Sequence, residues 1–411
     1  MGTFQTVIVY FFLFVGIYFE VFILFTYLIN KASIHADGKK SFERKTYPSV
    51  TIVVPIWNEE KTVQKTVASL LALNYPKDQL KIVIVDDGSI DNSWSVIQQY
   101  NGNPQIELYR KENGGKHTAV NYAIERCTTE FIGCLDADSY VDSDTLKKII
   151  CRFEDPENMA VTPAMKIHTP ATIVQSVQSI EYLFGILVKK IMSILGGIHV
   201  TPGPFTIFRK SAFDKIGMFK KAHNTEDMEI AFRLQAHHMK IDNVHNAWVY
   251  TTGPNTFKKL YKQRLRWTHG FIMNVWDYRY LFMNRKYGTI GLLTLPTAVI
   301  LLIAVVFSVF FLLFHIGEFL GQKFVEIKTI GLLWPQFEFS LFYVSTKLNI
   351  FLTGFVFALM FTLVYNAQKL TNEKISLLRI LYYFCIYPII SPFWVIKSVY
   401  NAILAKKTTW R

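Results

Sequence analysis

The chain has 411 residues, 51% of them apolar, and a formal net charge of +13. That length holds one sizeable soluble domain plus several apolar spans, and the apolar share excludes a wholly soluble protein. Much of the positive charge sits beside the apolar runs, where anionic lipid attracts it, and no recognition motif accompanies it, which argues against nucleic acid as a partner.

Residues 7–29 form the first apolar run, with Glu20 as its one charge. The run is long enough to cross a hydrocarbon core of about 30 Å. It lacks a basic n-region and exceeds a usual leader h-region, so residues 1–30 read as an N-terminal transmembrane helix. A charge at membrane depth costs about 2.5–3.5 kcal/mol on insertion scales, so Glu20 is expected to face other helices or a wet channel. Lys31, Lys39, Lys40, Arg44 and Lys45 follow in a basic linker over 31–48, whereas residues 1–6 carry no charged side chain. The positive-inside rule then assigns the polar block beyond them to the cytoplasm. Cys127, Cys134, Cys151 and Cys385 show no metal-ligand spacing, suit a reducing compartment and read as small apolar fillers.

The cytoplasmic block alternates strand and helix signals. Residues 50–55, 81–85 and 131–135 are runs of strand length, and a helical stretch over 62–73 ends before Asn74-Tyr75-Pro76. This interleaving predicts an α/β fold with a mostly parallel sheet and ligands at the carboxyl ends of its strands. Asp86-Asp87-Gly88-Ser89 closes the second strand. A carboxylate there can accept from a uracil N–H, and an Asp-Gly turn is the plainer alternative. Asn113-Gly114-Gly115-Lys116 opens a helix, where free N–H groups and the lysine favour a diphosphate, although the same letters also make an ordinary loop. Asp136 and Asp138 end the third strand, so an extended backbone would send both carboxylates to one side. Hard oxygen ligands beside a nucleotide phosphate suit Mg²⁺ or Mn²⁺.

Further on, Thr225-Glu226-Asp227 opens a helix, and Gln263-Arg264-Leu265-Arg266-Trp267 precedes a long apolar run. An arginine fork matches phosphate, and an indole face offers a platform to a sugar ring, unless Trp267 is a membrane-belt tryptophan. The later apolar runs cover 287–314, 348–365 and 380–396, the last interrupted by Pro388 and Pro392. Residues 330–344 read as a short span, a re-entrant piece or an interfacial helix, and Pro296 offers to split the run 287–314. The total is therefore four or five spans. Three later spans would leave Lys406, Lys407 and Arg411 outside, whereas four would bring them in.

The ordered set Val53-Val54-Pro55-Ile56-Trp57-Asn58-Glu59, Asp86-Asp87-Gly88-Ser89, Asp136-Ala137-Asp138, Thr225-Glu226-Asp227 and Gln263-Arg264-Leu265-Arg266-Trp267 resembles the processive family 2 glycosyltransferases. That family includes the cellulose, chitin, hyaluronan and poly-N-acetylglucosamine synthases. The resemblance implies an α/β GT-A nucleotide-sugar-binding domain over 49–252, inserted between transmembrane α-helices. It also implies an interfacial amphipathic region over 253–286, a transmembrane region over 287–404 and a basic tail over 405–411. The implied reaction is inverting: a UDP-sugar, with N-acetylglucosamine the expected sugar, extends a β-linked polysaccharide processively at the plasma membrane, coupled to export.

By motif position, the resemblance implies that Trp57, Glu59 and Asp87 hold the uridine, Lys116 the diphosphate, and Asp136 and Asp138 the sugar nucleotide with Mg²⁺ or Mn²⁺. Asp227 would be the general base, kept ionised but weakened by its helix N-terminus. Gln263 and Arg266 would hold the departing UDP, and Glu226 and Trp267 the acceptor. Implied partners are the UDP-sugar donor, the polysaccharide acceptor, the lipid bilayer and a small accessory membrane subunit. Residues 173–182 are similar to the poly-N-acetylglucosamine branch, whereas Thr201-Pro202-Gly203-Pro204-Phe205, expected near the acceptor, looks like the chitin and hyaluronan synthases. Two other readings differ in kind. A single-addition enzyme acting on a lipid carrier usually lacks the Gln-x-x-Arg-Trp element, and a catalytically dead membrane sensor would lack a carboxylate of the set.

Overall fold

The β-branched run at 50–55 forms β1 (Val50–Ile56), and after α2 (Val63–Leu71) the chain returns parallel to it as β2 (Leu80–Asp87). The computed structural model describes residues 3–38, 42–331 and 347–404, beginning with α1 (Thr3–Gly38) ahead of this sheet. Next come α3 (Ser93–Gln98), β3 (Ile106–Lys111), α4 (Lys116–Arg126) and β4 (Phe131–Cys134). The strands β3-β2-β1-β4 form a wholly parallel half-sheet. Pro55 is tolerated in a central strand because β4 pairs with β1 only from Val50 to Val53, which leaves that flank of Pro55 unpaired.

The second half departs from the parallel expectation. It comprises β5 (Ser139–Val141), α5 (Thr145–Ile150), β6 (Asn158–Ile167), α6 (Ile173–Ile194), β7 (Ile207–Arg209), α7 (Lys210–Ile216), α8 (Glu226–Ala236) and β8 (Lys240–Thr251). The short β7 runs antiparallel to both β4 and β6, β5 runs antiparallel to β8, and β6 pairs parallel with β8. The eight-stranded sheet, in order β3-β2-β1-β4-β7-β6-β8-β5, is therefore mixed. Its consequence is local: an antiparallel β7 begins beside the carboxyl end of β4, so the residues preceding it arrive at the ligand edge of the sheet.

Apolar layers cover both faces of the sheet, which is why its parallel strands read as continuous apolar runs instead of alternating ones. Val63, Val67, Leu70, Leu146, Ile149 and Ile150 of α2 and α5 pack on one face. The other face shares its core with α1, α4 and α6, and with two helices near the carboxyl end, through Ile23, Tyr27, Ala119, Val177, Leu363 and Tyr383.

Beyond β8 lie α9 (Phe257–Asp277), α10 (Leu295–Ile330), α11 (Leu348–Thr371) and α12 (Leu377–Ile403). Among the described residues, Gln5–Gly38, Ile290–Ile330, Leu348–Thr371 and Leu377–Ile403 are long and apolar enough to cross a membrane. Pro296 does not split the 287–314 run. It sits inside one continuous helix, where a π-helical turn over Ile290–Thr294 leads directly into α10. Pro388 and Pro392 both lie inside α12. Residues 332–346, on which the choice between four and five spans turns, and the tail 405–411 lie outside the described residues.

Helix α1 continues past the expected span through the start of the basic linker. Glu20, Ile23, Tyr27 and Ile34 form its buried stripe, at helical spacing, so Glu20 (7% exposed) faces neighbouring helices. The far end of α1 is tied to the sheet domain. Arg152 reaches Asp37 and Asp242 at 2.7 Å each, and Lys190 lies 3.5 Å from Asp37 while donating to the Asn243 carbonyl at 3.1 Å. Paired charges of this kind satisfy one another in a buried setting and fix how the domain sits on its apolar helices.

Candidate active site

The carboxyl ends of β1, β2 and β4 open onto a cavity of about 2040 Å³. Asp87, at the end of β2, is 3% exposed and accepts from Gly114 N (3.1 Å), Gly115 N (2.8 Å) and Lys111 Nζ (2.6 Å). A carboxylate so buried requires donors, and the glycine loop supplies them. The N–H groups expected to await a diphosphate are thus taken up by Asp87. Gly115 precedes α4 with φ +92°, a conformation that favours glycine. Asp86 is fully buried against Arg110 Nε (3.0 Å) and Ser89 N (3.1 Å), so this pair is a structural floor and not an exposed turn. Trp57 and Glu59 line the same cavity from the β1–α2 loop. Ser89 accepts from Asn58 N at 3.0 Å and Ser93 from Glu59 N at 2.7 Å, locking that loop onto the one after β2.

Asp136 and Asp138 lie on the turn between β4 and β5, because β4 stops at Cys134; Ser139 N closes the turn on the Asp136 carbonyl at 3.0 Å. The strand geometry expected for the pair is replaced by a turn, yet both residues line the cavity. Lys116 Nζ sits 2.5 Å from Asp136 Oδ1 and 3.6 Å from Glu226 Oε1. Burial opposes its charge, but Asp136 and Glu226 hold it protonated well above the ordinary lysine range. Asp138 is pushed up to about 6 by burial, then by Asp136 and Glu59.

The antiparallel β7 brings Pro202, Gly203 and Pro204 into this cluster. A Cβ on Gly203 would fall 2.5 Å from Lys116 Nζ and 3.3 Å from both Asp136 carboxylate oxygens, so the backbone passes where only glycine fits without displacing them. The segment expected near the acceptor therefore also touches the lysine and aspartate of the donor side. Thr201 continues it to α8, donating from N (3.1 Å) and Oγ1 (2.8 Å) to the Asp227 carbonyl.

Asp227 is the second residue of α8 and lines the cavity. Its expected environment is reversed: burial and then Glu226 raise its carboxyl to about 6, outweighing Lys116 and Arg266 and the helix N-terminus. Gln263, Arg266 and Trp267 enter the cavity wall from α9. Arg266 donates to the Asn224 carbonyl at 2.8 Å, which anchors α9 to the turn preceding α8. Trp267 lies under the Arg264 guanidinium at 4.3 Å.

Every residue named from the motifs, Trp57, Glu59, Asp87, Lys116, Asp136, Asp138, Glu226, Asp227, Gln263, Arg266 and Trp267, lines this one cavity. Two of its residues were missed. Lys189 on α6 is pulled down to about 8 by burial, with Asp227 opposing, and His199 is pulled down to about 4 by burial and Lys189. The available signal was a lysine at helical spacing between Gly185 and Met192 on an otherwise apolar face.

Among the described residues, no three His, Cys, Asp or Glu side chains converge as a metal cage. The chemistry of Asp136 and Asp138 nevertheless fits Mg²⁺ or Mn²⁺. Two hard carboxylates on one turn, with Asp138 raised by burial and then by Asp136, suit a cation that takes its remaining oxygens from a diphosphate and water.

Residues 51–217 match the family described as Glycosyl transferase family 2. The chain is 26% identical over 410 residues to the poly-beta-1,6-N-acetyl-D-glucosamine synthase of Staphylococcus epidermidis, covering 97% of this chain and 95% of that one. It is 31% identical over 261 residues to the Staphylococcus aureus protein of the same name, covering 62% of this chain and 63% of that one. Among solved structures, a mannosyltransferase from Pyrobaculum calidifontis in complex with GDP-Man and Mn²⁺ is similar with a TM-score of 0.56 at 16% identity, over 96% of this chain and 99% of that chain. At that identity the likeness concerns the fold, and it agrees with the GT-A-like layering built above. Residues 51–217 thus form a family 2 glycosyltransferase domain, set among helices long and apolar enough to cross a membrane.

Proposed function

We propose that this enzyme is an inverting, processive polysaccharide synthase that moves N-acetylglucosamine from a UDP-sugar onto a growing β-linked chain and feeds that chain toward export. Its catalytic domain faces the cytoplasm in this reading, as the basic linker after α1 suggests. The observation that carries the proposal is one continuous cavity. It is lined by Asp87, Lys116, Asp138, Asp227 and Trp267 and also by Tyr383 and Tyr387 of the apolar helix α12. An enzyme acting on a lipid carrier would also need a site that reaches a membrane helix; what favours a glycan acceptor is the Gln-x-x-Arg-Trp element, whose Gln263, Arg266 and Trp267 all line this cavity. The names of the Staphylococcus relatives support the same polymer and sugar.

In this proposal Trp57 and Glu59 hold the uridine, and Asp87 acts on the donor indirectly, by shaping the glycine loop. Lys116 and Arg266 offset the diphosphate charge. The buried Gln263 Oε1 has no hydrogen-bond partner among the described residues and suits a ligand hydroxyl or N–H. A divalent cation held by Asp136 and Asp138 would stabilise the negative charge that develops on the leaving UDP. Asp227 takes the proton of the acceptor hydroxyl as that oxygen bonds to the anomeric carbon, while the sugar–phosphate C–O bond breaks and its electrons leave with UDP. Attack from the face opposite the leaving group inverts the anomeric centre.

The raised Asp227 carboxyl sets the pH profile. A base works only when ionised, so transfer should be flat above about pH 6 and fall roughly tenfold per unit below it, well above the range of an ordinary aspartate. A transfer rate unchanged down to pH 5 would contradict the assignment.

Processivity is tested at the platform. Trp267→Ala is expected to leave UDP affinity within about twofold of the parent while shortening the product, because chain retention and donor binding use different residues. Parental-length polymer at parental yield would leave Trp267 as a structural residue and remove the support for a held chain.

A further inference from the structure

The segment 173–182 of α6 resembles part of the poly-N-acetylglucosamine branch, yet it has no role in the chemistry described so far. Its polar residues Gln175, Gln178 and Glu181 recur every third position, along one slanting row of the helix surface. All three reach the chain that leads into and forms α9. Gln175 Nε2 donates to the Gly253 carbonyl at 2.9 Å and Gln178 Nε2 to the Pro254 carbonyl at 2.8 Å. Glu181 Oε2 accepts from Arg264 Nη2 at 2.7 Å, and Glu181 Oε1 accepts from the Tyr387 hydroxyl of α12 at 3.2 Å.

The row is built for one register. Gln175 also closes a capping box with Thr172 at the start of α6, so its amide is held at both ends. Gln178 is fully buried, and a Cβ on Gly253 would fall 3.1 Å from its Oε1, so the two chains meet at backbone distance. Arg264 is 6% exposed, and its planar guanidinium, steered by Glu181, covers one face of the Trp267 indole at 4.3 Å. A guanidinium held by a carboxylate and stacked on a ring has little freedom to turn, so the ring beneath it has little either.

We propose that Glu181 is a positioning residue: acting through Arg264, it sets the Trp267 indole as the acceptor platform relative to Asp227, and through Tyr387 it ties that platform to α12. The proposal rests on the reading of Trp267 as the acceptor platform and adds to it the device that aims the ring. Without Glu181, the Arg264 charge is left buried and uncompensated, and the arginine has no reason to remain over the indole. Donor contacts on the β1, β2 and β4 edge are untouched.

The test is a double-variant cycle in membranes: parent, Glu181→Gln, Trp267→Ala and both together, each read for donor KM, UDP release and product length. Glu181→Gln is expected to lower elongation about tenfold or more while donor KM stays within about twofold, since a misplacement near 1 Å can cost on the order of 10²-fold. In the Trp267→Ala background the same change should add less than about twofold, because its effect passes through the indole. Arg264→Lys provides a second variant should Glu181→Gln fold poorly. It keeps the charge but loses the planar cover, and is expected to shorten the product in the same way. Parental product length from Glu181→Gln or from Arg264→Lys would overturn the proposal, and so would losses that multiply in the double variant. If parental membranes release UDP without building a chain, the polysaccharide reading fails by itself. The same cycle read on acceptor-stimulated UDP release then still decides whether Glu181 acts through Trp267.

Discussion

Asp227→Asn is expected to remove sugar transfer by about 10²–10⁴-fold while leaving UDP affinity close to that of the parent. An amide matches the carboxylate in shape but cannot take the acceptor proton, so the chemical step alone is lost. The fold should tolerate the change, because the contacts that hold this position run through its backbone: Thr201 N and Oγ1 both donate to the Asp227 carbonyl, which the substitution keeps. Removing the carboxylate also relieves its repulsion with Glu226 in a buried setting. UDP affinity, sugar incorporation and thermal stability measured on one preparation separate the possibilities. Polymerisation at the parental rate would refute the base assignment, and a matching loss of UDP affinity would move Asp227 to the donor site.

Removal of divalent cations is expected to be equally severe. Excess chelator should abolish turnover, Mg²⁺ or Mn²⁺ should restore it, and Asp138→Asn should cost roughly 10²–10³-fold, given several kcal/mol of charge stabilisation on the leaving group. Asp138 is the cleaner probe, because its carboxyl is raised chiefly by burial, whereas Asp136 is also the partner of Lys116 at 2.5 Å. Asp136→Asn would leave Lys116 facing Glu226 alone, so its loss of activity would combine two causes. Full activity in excess chelator would remove the metal from the account.

The first half of the fold was legible because β1, β2 and β4 are buried on both faces, β1 and β2 writing themselves as β-branched runs and β4 as a short apolar one, with glycine and acidic turns at their ends. The rest depended on contacts that no local pattern records. Strand β7 spans only Ile207–Arg209, too short for a periodic signal, and its antiparallel course carries Gly203 onto Lys116 and Asp136. Asp87 looked like a ligand for uridine from its place at a strand end. Only the folded chain reveals that Gly114, Gly115 and Lys111 also donate to it, which ties the glycine loop to the same carboxylate. The helix-start rule gave the wrong direction for Asp227, since burial and a neighbouring carboxylate are tertiary quantities that outweigh a helix dipole. Trp267 was open between belt and platform in the sequence, and its place on α9 in the cavity wall, which no local pattern records, supports the platform proposal.

The most direct measurement supplies membranes carrying the enzyme with one UDP-sugar at a time and follows UDP release together with product length. The account predicts that UDP-N-acetylglucosamine alone sustains turnover, and that long β-linked chains appear early while most acceptors remain unextended, as a held chain requires. Products longer by a single sugar, UDP release without any glycan, or a different UDP-sugar as the preferred donor would contradict it.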